Sequence, residues 1–488
     1  MSLKLKTISG VFWTILQRFS VQFINLFVQI ILARLLMPED FGLIAMIQII
    51  ITLGQTLIDS GMTSSLIRTQ APDERDYSTV FFTNLGVSII IYALAFSIAP
   101  YFAHFFEMPL LTDLVRVYAV TFVIQAFAAV QLARLTKQMK FKLQMLLQLP
   151  STLIGGVCGV LMAYNGYGVW SLVGLNIVMT TILAVSLWIK TDWRPRLIFD
   201  WSRFKIHFNF GYKLTLSALL TNLYSESYSL IIGKMFSSAQ LGFYKQANTL
   251  RMFPVTNVTS ALQKVTYPLF SEVQHDNERL KRIFKKINFL VFFVTTPVML
   301  LSIVIAEPLF RFLLTEKWVP AVPYFRILCV AAIFYPLSMY NLNIIAAKGL
   351  SGLHLKLEVI KKTLSIMILF ALLPLGMYGV VSAAALGMVI GAFVNCLYSG
   401  KLINYPVVEQ LKDLFPIVLF GTLSMVIVYS LIFCIGENFA MSDILLIVVS
   451  AGLYMGLYIG FSLSFKLNGI EAIRELLKVL KNSKKSGG

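Results

Sequence analysis

Runs of about twenty mostly apolar residues recur along nearly the whole chain, and that recurrence constrains its fold more than any other feature. A run of this length is what an α-helix needs to cross the hydrocarbon core of a bilayer. Lipid offers the backbone no hydrogen-bond partner, so repeated runs imply repeated helices. By hydropathy and loop charge, about fourteen spans are expected. Their centres fall near Phe23, Ile50, Ile91, Phe122, Gly155, Ile177, Leu223, Thr256, Thr295, Phe334, Met367, Met388, Met425 and Leu453. Composition points the same way: 58% of the 488 residues are hydrophobic and only 13% are charged, against roughly 25% charged in a soluble domain. The mean hydropathy is +0.78.

The net charge of +18 does not indicate nucleic acid, because the Lys and Arg residues sit in short loops between apolar runs. Alternate loops hold Lys4 and Lys6; Arg68 and Arg75; Arg134, Lys137, Lys140 and Lys142; Lys190 to Lys205; Arg279 to Lys286; and Lys356 to Lys362. The intervening loops are poorer in basic residues and carry Glu39, Asp40, Glu107, Glu307, Glu316, Glu437 and Asp443. The basic set is expected on the cytoplasmic side of a bacterial inner membrane, with both termini inside and an even number of spans. No small-residue cleavage site follows the basic start, so the first span is expected to act as its own insertion signal. The tail from Asn468 to Lys485 is basic and carries Ile470, Ile473, Leu476, Leu477 and Leu480 at helical spacing. It reads either as an interfacial helix or as a solubilising tail. Cys158, Cys329, Cys396 and Cys434 lie in or beside apolar runs without a CxxC pair, and read as small buried residues.

An internal repeat organises the spans. The stretch Ile31 to Gly42 is echoed by Ile231 to Gly242, with Arg34 on Lys234 and Gly42 on Gly242. Gln22, Asn25 and Gln29 fall on Asn222, Ser225 and Ser229, and Gln48 falls on Asn248. At a slightly larger offset Arg116 meets Arg326 and Gln131 meets Asn341; Tyr167-Gly168-Val169 then meets Tyr378-Gly379-Val380. The drift is what loop insertions produce. The expected fold is therefore an all-α integral membrane protein of two six-helix lobes, related by a parallel pseudo-two-fold repeat, plus two extra C-terminal helices. The lobes would cover 1–200 and 201–405, the extra pair 406–466 and the basic tail 467–488.

Polar side chains mark one face of several spans. The first span carries Thr14, Arg18, Gln22, Asn25 and Gln29, and the second Gln48, Thr52, Gln55 and Asp59. The seventh carries Lys213, Ser217, Thr221, Asn222, Ser225, Glu226 and Ser229, and the eighth Lys245, Asn248, Arg251 and Asn257. A charge at mid-span costs about 2.5–3.5 kcal/mol on insertion scales, so such residues belong in a wet cavity or in pairs. Arg18, Gln22, Asn25, Gln55, Asp59, Lys213, Asn222, Ser225, Glu226, Asn248 and Arg251 are the candidate lining of a central hydrated cavity. Alternative roles stay open: the amides and hydroxyls can glue helices together, and Asp59 and Lys213 sit where snorkelling suffices. Glu226 reads as a coupling-ion site or as the partner of a cation. His104, His207, His275 and His354 are scattered over different loops, and no HExxH, P-loop or GxSxG occurs. No catalytic, metal or cofactor site is therefore expected. The absence of a P-loop leaves an H+ or Na+ gradient, the membrane potential or the substrate's own gradient as the driving force.

The stretch Ala33-Arg34-Leu35-Leu36-Met37-Pro38-Glu39-Asp40-Phe41-Gly42-Leu43-Ile44-Ala45 resembles the signature after the first span of bacterial polysaccharide-export flippases. So does Leu57-Ile58-Asp59-Ser60-Gly61 with Leu66-Ile67-Arg68. The family is the Wzx-type transporters of the multidrug/oligosaccharidyl-lipid/polysaccharide exporter superfamily, with most likeness to the WzxC/TuaB branch. The resemblance covers essentially the whole chain. It implies transfer of an undecaprenyl-pyrophosphate-linked oligosaccharide between leaflets by alternating access. It also implies membrane lipids and a polysaccharide polymerase or chain-length protein as neighbours. Arg18 and Arg251 would then meet pyrophosphate. A multidrug antiporter of the same superfamily is the alternative, and a membrane glycan polymerase or ligase a more distant one.

Overall fold

A computed structural model of the chain describes residues 3–59, 61–436, 442–465 and Leu467, all helix or short connection. Eleven segments among them are long and apolar enough to cross a membrane, so this is a multi-pass, all-helical membrane protein. The basic tail from Asn468 to Lys485, expected either as an interfacial helix or as a solubilising tail, falls outside the described residues.

The chain divides into two compact units, Met1–Gly242 and Phe243–Gly488. The first holds α1 (Leu3–Leu35), α2 (Pro38–Asp59), α3 (Met62–Arg68), α4 (Glu74–Phe106), α5 (Leu110–Tyr118), α6 (Val120–Lys137), α7 (Phe141–Tyr164), α8 (Trp170–Lys190) and α9 (Trp201–Met235). The second takes most of α10 (Ser238–Glu272), then α11 (Asn277–Val304), α12 (Ala306–Leu314), α13 (Val322–Ala332), α14 (Tyr335–Ala347), α15 (Ser351–Leu372), α16 (Gly376–Leu402), α17 (Val407–Gly436) and α18 (Asp443–Ser464).

Local chemistry sets where helices begin. Pro38 opens α2 with Glu39 and Asp40 in its first turn, where a missing N–H costs nothing and negative charge is favoured. Asp73, Asp200, Asp276 and Ser442 cap α4, α9, α11 and α18 by accepting backbone N–H bonds. Two expected spans are broken. The one near Phe122 is α5 plus α6, and the one near Phe334 is α13 plus α14. Pro336 at the start of α14 explains the second break, since proline fits a first turn but not an interior. Eleven apolar segments arise rather than about fourteen because Ser351–Leu402 contains both α15 and α16. In addition α9 and α10, each of 35 residues, carry many polar side chains.

Close helix crossings rest on glycine. A Cβ on Gly155 would come within 2.6 Å of Met179 Cβ, and one on Gly159 within 2.8 Å of Leu175 Cβ. These two glycines, four apart on α7, let α8 approach. Gly156, on another face of α7, receives Val28 of α1. At the turns after α1 and α9 the contact is reciprocal: a Cβ on Gly42 would strike the Ser238 carbonyl, and one on Gly242 the Pro38 carbonyl. The two glycines matched in the sequence repeat thus perform the same task.

The α9 helix packs on α2, α3 and α4, and a buried polar chain fixes it there. Ser65 Oγ lies 2.8 Å from His207 Nδ1, and His207 Nε2 lies 3.1 Å from Asp76 Oδ1. His207, expected in a loop, is within α9; the charged residues around it had suggested a loop, but Asp200 starts the helix ahead of them. The order Ser–His–Asp imitates a hydrolase triad, yet Ser65, His207 and Asp76 are 5%, 1% and 1% exposed, so no substrate reaches the hydroxyl. Asp76 also completes the capping box of α4, its carboxylate accepting the Asp73 N–H at 2.9 Å. Cys329 and Cys396 are buried as expected, whereas Cys158 is half-buried and Cys434 exposed; on a membrane helix an outward thiol meets lipid rather than water.

Two outcomes follow for thermal unfolding of the purified protein. Gly42→Ala places a methyl on a carbonyl oxygen and should cost about 1–3 kcal/mol, the usual penalty of overpacking. Asp73→Ala should cost about 1 kcal/mol at pH 7. Backbone donation from Asp76 lowers the Asp73 pKa from its ordinary 3.8. Its contribution is therefore complete above that value and is lost as pH falls through the lower folded value, where the two proteins converge.

Candidate functional site

The first unit encloses a cavity of about 520 Å³. Helix α1 supplies Asn25 and Gln29, α2 supplies Phe41, Gln48 and Gln55, α5 and α6 supply Tyr118, Thr121 and Gln125, and α8 supplies Asn176 and Thr180. Val28, Leu32, Ile44, Leu172, Leu175 and Met179 complete the wall. No charged side chain is among the lining residues. The polar ones follow the helical period: Asn25 and Gln29, Thr121 and Gln125, and Asn176 and Thr180 are each four apart, so each pair shares a face. Gln48 donates to Thr52 Oγ1 at 3.1 Å, and Asn176 donates to the Leu172 carbonyl at 2.8 Å. Thr121 and Thr180 spend their hydroxyls on the carbonyls of Tyr118 and Asn176, at 2.7 and 2.6 Å.

Of the candidates read from the sequence, Asn25 and Gln55 line this cavity. Asn222 of α9 donates to Thr56 Oγ1 at 2.8 Å, one residue along α2 from Gln55. Gln22 is half-buried and Arg18 exposed on α1, and neither lines the cavity. Asp59 ends α2 and accepts from the Thr63 hydroxyl. On α9, Lys213 is exposed with its ammonium 5.8 Å from the Tyr212 ring centre. Ser225 donates to the Thr221 carbonyl at 3.0 Å, and Glu226 accepts from Ser229 at 3.0 Å.

Asn248 and Arg251 belong to the second unit and act together. Arg251 is 4% exposed. Its Nε and one Nη donate to Asn248 Oδ1 at 3.0 and 2.7 Å, and the other Nη reaches the Leu328 carbonyl at 3.3 Å. These partners are neutral, so no bonded carboxylate offsets the charge of the buried guanidinium. Sequence reasoning overlooked Tyr118, Thr121, Gln125, Asn176 and Thr180. The same i, i+4 rhythm that marked the first and second spans was present in the fourth and sixth and would have found them.

The helical fold is shared with membrane transporters of known structure. The chain superposes on the lipid II flippase MurJ in an inward closed conformation with a TM-score of 0.76 and 14% identity, covering 94% of this chain and all of that one. It superposes on an inward-facing multidrug resistance MATE transporter with a TM-score of 0.60 and 17% identity, covering 80% and 98%. The chain belongs to the polysaccharide biosynthesis protein family, whose model matches residues 31–323. It is 24% identical to the lipopolysaccharide biosynthesis protein WzxC of Escherichia coli (strain K12), over 80% of this chain and 78% of the relative. It is 23% identical to the teichuronic acid biosynthesis protein TuaB of Bacillus subtilis (strain 168), over 72% and 73%. The Wzx-type resemblance carried by the stretch from Ala33 to Ala45 is thereby established.

The Arg251 arrangement makes a prediction for stability. Asn248→Leu removes the acceptor of two charge-assisted bonds and should cost about 1.5–3 kcal/mol. If the two side chains act as one unit, Asn248→Leu with Arg251→Met should cost less than the sum of the single changes. A double-mutant cycle on melting temperature measures this.

Proposed function

We propose that the protein is a flippase that carries an undecaprenyl-pyrophosphate-linked oligosaccharide from the cytoplasmic to the outer leaflet of a bacterial inner membrane. The product would feed a lipopolysaccharide O-antigen, a capsule or an exopolysaccharide. One coincidence carries this proposal: a polysaccharide biosynthesis family over residues 31–323 on a chain whose fold matches a lipid flippase over 94% of its length. The relatives named for lipopolysaccharide and teichuronic acid synthesis support the glycan part.

The proposal includes fourteen spans, with α9 and α10 crossing the membrane despite their polarity, and both termini cytoplasmic. It includes the two-copy repeat, which matching local chemistry supports. Arg116 donates to the Phe96 carbonyl at 3.4 Å, and Arg326 to the Ile303 carbonyl at 3.3 Å. Tyr77, Phe81, Val130 and Trp193 share one buried cluster, and Leu280, Phe284, Tyr340 and Tyr405 share another. Gln131 donates to the Trp193 carbonyl at 3.0 Å, and its counterpart Asn341 donates to Gln410 Oε1 at 3.1 Å. The cationic Arg18 and Arg251 would attract pyrophosphate, while Gln22, Asn25, Gln55, Asn222, Ser225 and Asn248 would meet sugar. Movement would be by alternating access, drawing on an H+ or Na+ gradient and needing no resident cofactor. Asp59, Lys213 and Glu226 are the titratable members of the set. The multidrug-antiporter alternative shares the fold, but the cavity in the first unit is lined by amides and hydroxyls rather than by the carboxylates that would hold a cationic drug.

Deleting the protein should leave complete lipid-linked oligosaccharide accumulating in the cytoplasmic leaflet, measured by protecting or labelling the glycan from one side. An unchanged distribution between leaflets overturns the proposal. Arg18→Ala should lower glycan export roughly tenfold or more, as loss of a charge-assisted phosphate contact does. Full export by that variant removes Arg18 from the substrate path.

A further inference from the structure

We propose that the cavity enclosed by α1, α2, α6 and α8 is a binding subsite for an uncharged glycosyl residue of the transported lipid-linked glycan, and not for its pyrophosphate or for a metal ion. This rests on the flippase function proposed above and assigns one part of the substrate to one place.

Size permits it: the cavity measures about 520 Å³, inside the range of about 300–1,000 Å³ common to ligand sites. The lining chemistry then selects the ligand. Asn25, Gln29, Gln48, Gln55, Gln125 and Asn176 bring six carboxamides to one space. Each carboxamide offers two donors and an acceptor oxygen. A sugar hydroxyl is itself donor and acceptor, so an amide facing two neighbouring hydroxyls can accept from one and donate to the other. A phosphate accepts only. It would leave the amide oxygens facing negative charge, with no Lys or Arg among the lining residues to offset them. A hard cation prefers carboxylates; the lining has none, and no metal-binding group of His, Cys, Asp and Glu occurs among the described residues. Phe41 and Tyr118 add two aromatic rings to the wall, which suits the apolar C–H face of a pyranose. The amides of Gln48 and Asn176 are held by bonds within their own helices. Those of Asn25, Gln55 and Gln125 carry no such tie among the described residues. Asn25 is exposed and Gln55 and Gln125 are half-buried, so their amides are open to water, and sugar hydroxyls can take the place of that water.

The test uses full-length protein in lipid nanodiscs and two probes. One is the oligosaccharide freed from the cell's own lipid carrier by mild acid, which has neither lipid nor phosphate. The other is inorganic pyrophosphate. Calorimetry should show the oligosaccharide binding to the wild type and at least tenfold more weakly to Gln55→Leu with Gln125→Leu, while pyrophosphate affinity is unchanged. Glycan export in cells should fall with the same double change. Gln125→Asn keeps the amide but shortens it by one methylene, and should give a smaller loss while its melting temperature stays at the wild-type value. Failure of the wild type to bind the oligosaccharide, an unaltered affinity in the variants, or parallel loss of pyrophosphate binding each overturns the subsite. Where gene deletion blocks flipping but the double variant exports normally, the subsite falls and the flippase stands. Where deletion leaves flipping intact, it is the flippase that falls.

Discussion

Hydrocarbon offers neither donor nor acceptor, so every polar side chain inside these helices must be bonded within the protein or kept wet. The chain uses three solutions. Thr and Ser hydroxyls return to a carbonyl three or four residues back, as Thr56, Thr152, Thr180 and Thr259 do. Side chains bond across helices, as Asn222 does to Thr56 and Asn395 to Ser338. Others gather round a cavity, and a few, such as Asn84 and Asn288, are buried without a hydrogen-bond partner among the described residues. Only the third solution leaves hydrogen-bonding capacity for a passenger, and the subsite proposed for the amide-lined cavity of the first unit draws on it.

Arg251 shows how the same constraint treats charge. Burying a guanidinium without a carboxylate costs more than burying it with one, unless neutral acceptors saturate its donors. Asn248 Oδ1 and the Leu328 carbonyl take that role. A carboxylate would cancel the charge; an amide and a carbonyl hold the group in place and leave its field intact.

The helices were legible in the sequence because hydropathy averages over about twenty residues, the length of a span. The same averaging hid what happens within a span. A window centred near Phe122 cannot see the break between Tyr118 and Val120, nor one near Phe334 the break before Pro336. The start of α9 was misread because Arg203, Lys205 and His207 look like a loop, although Asp200 ahead of them is an N-cap. The cavity was half legible. Asn25 and Gln55 lay on stripes that charged neighbours made conspicuous, whereas Gln125 and Asn176 lay in spans with no mid-span charge to draw attention. The Ser65–His207–Asp76 chain joins residues up to 142 positions apart, and no periodicity reports a contact of that kind.

The glycine pair carries this one step further. Gly42 and Gly242 were matched by sequence alone, as members of an echo about 200 residues apart. In the structure each lies against the main chain at the other's helix start, where neither tolerates a Cβ. A repeat that merely preserved a fold would require only that similar helices pack in similar ways. Here the two copies of the motif meet, so a change in one is felt at once by the other.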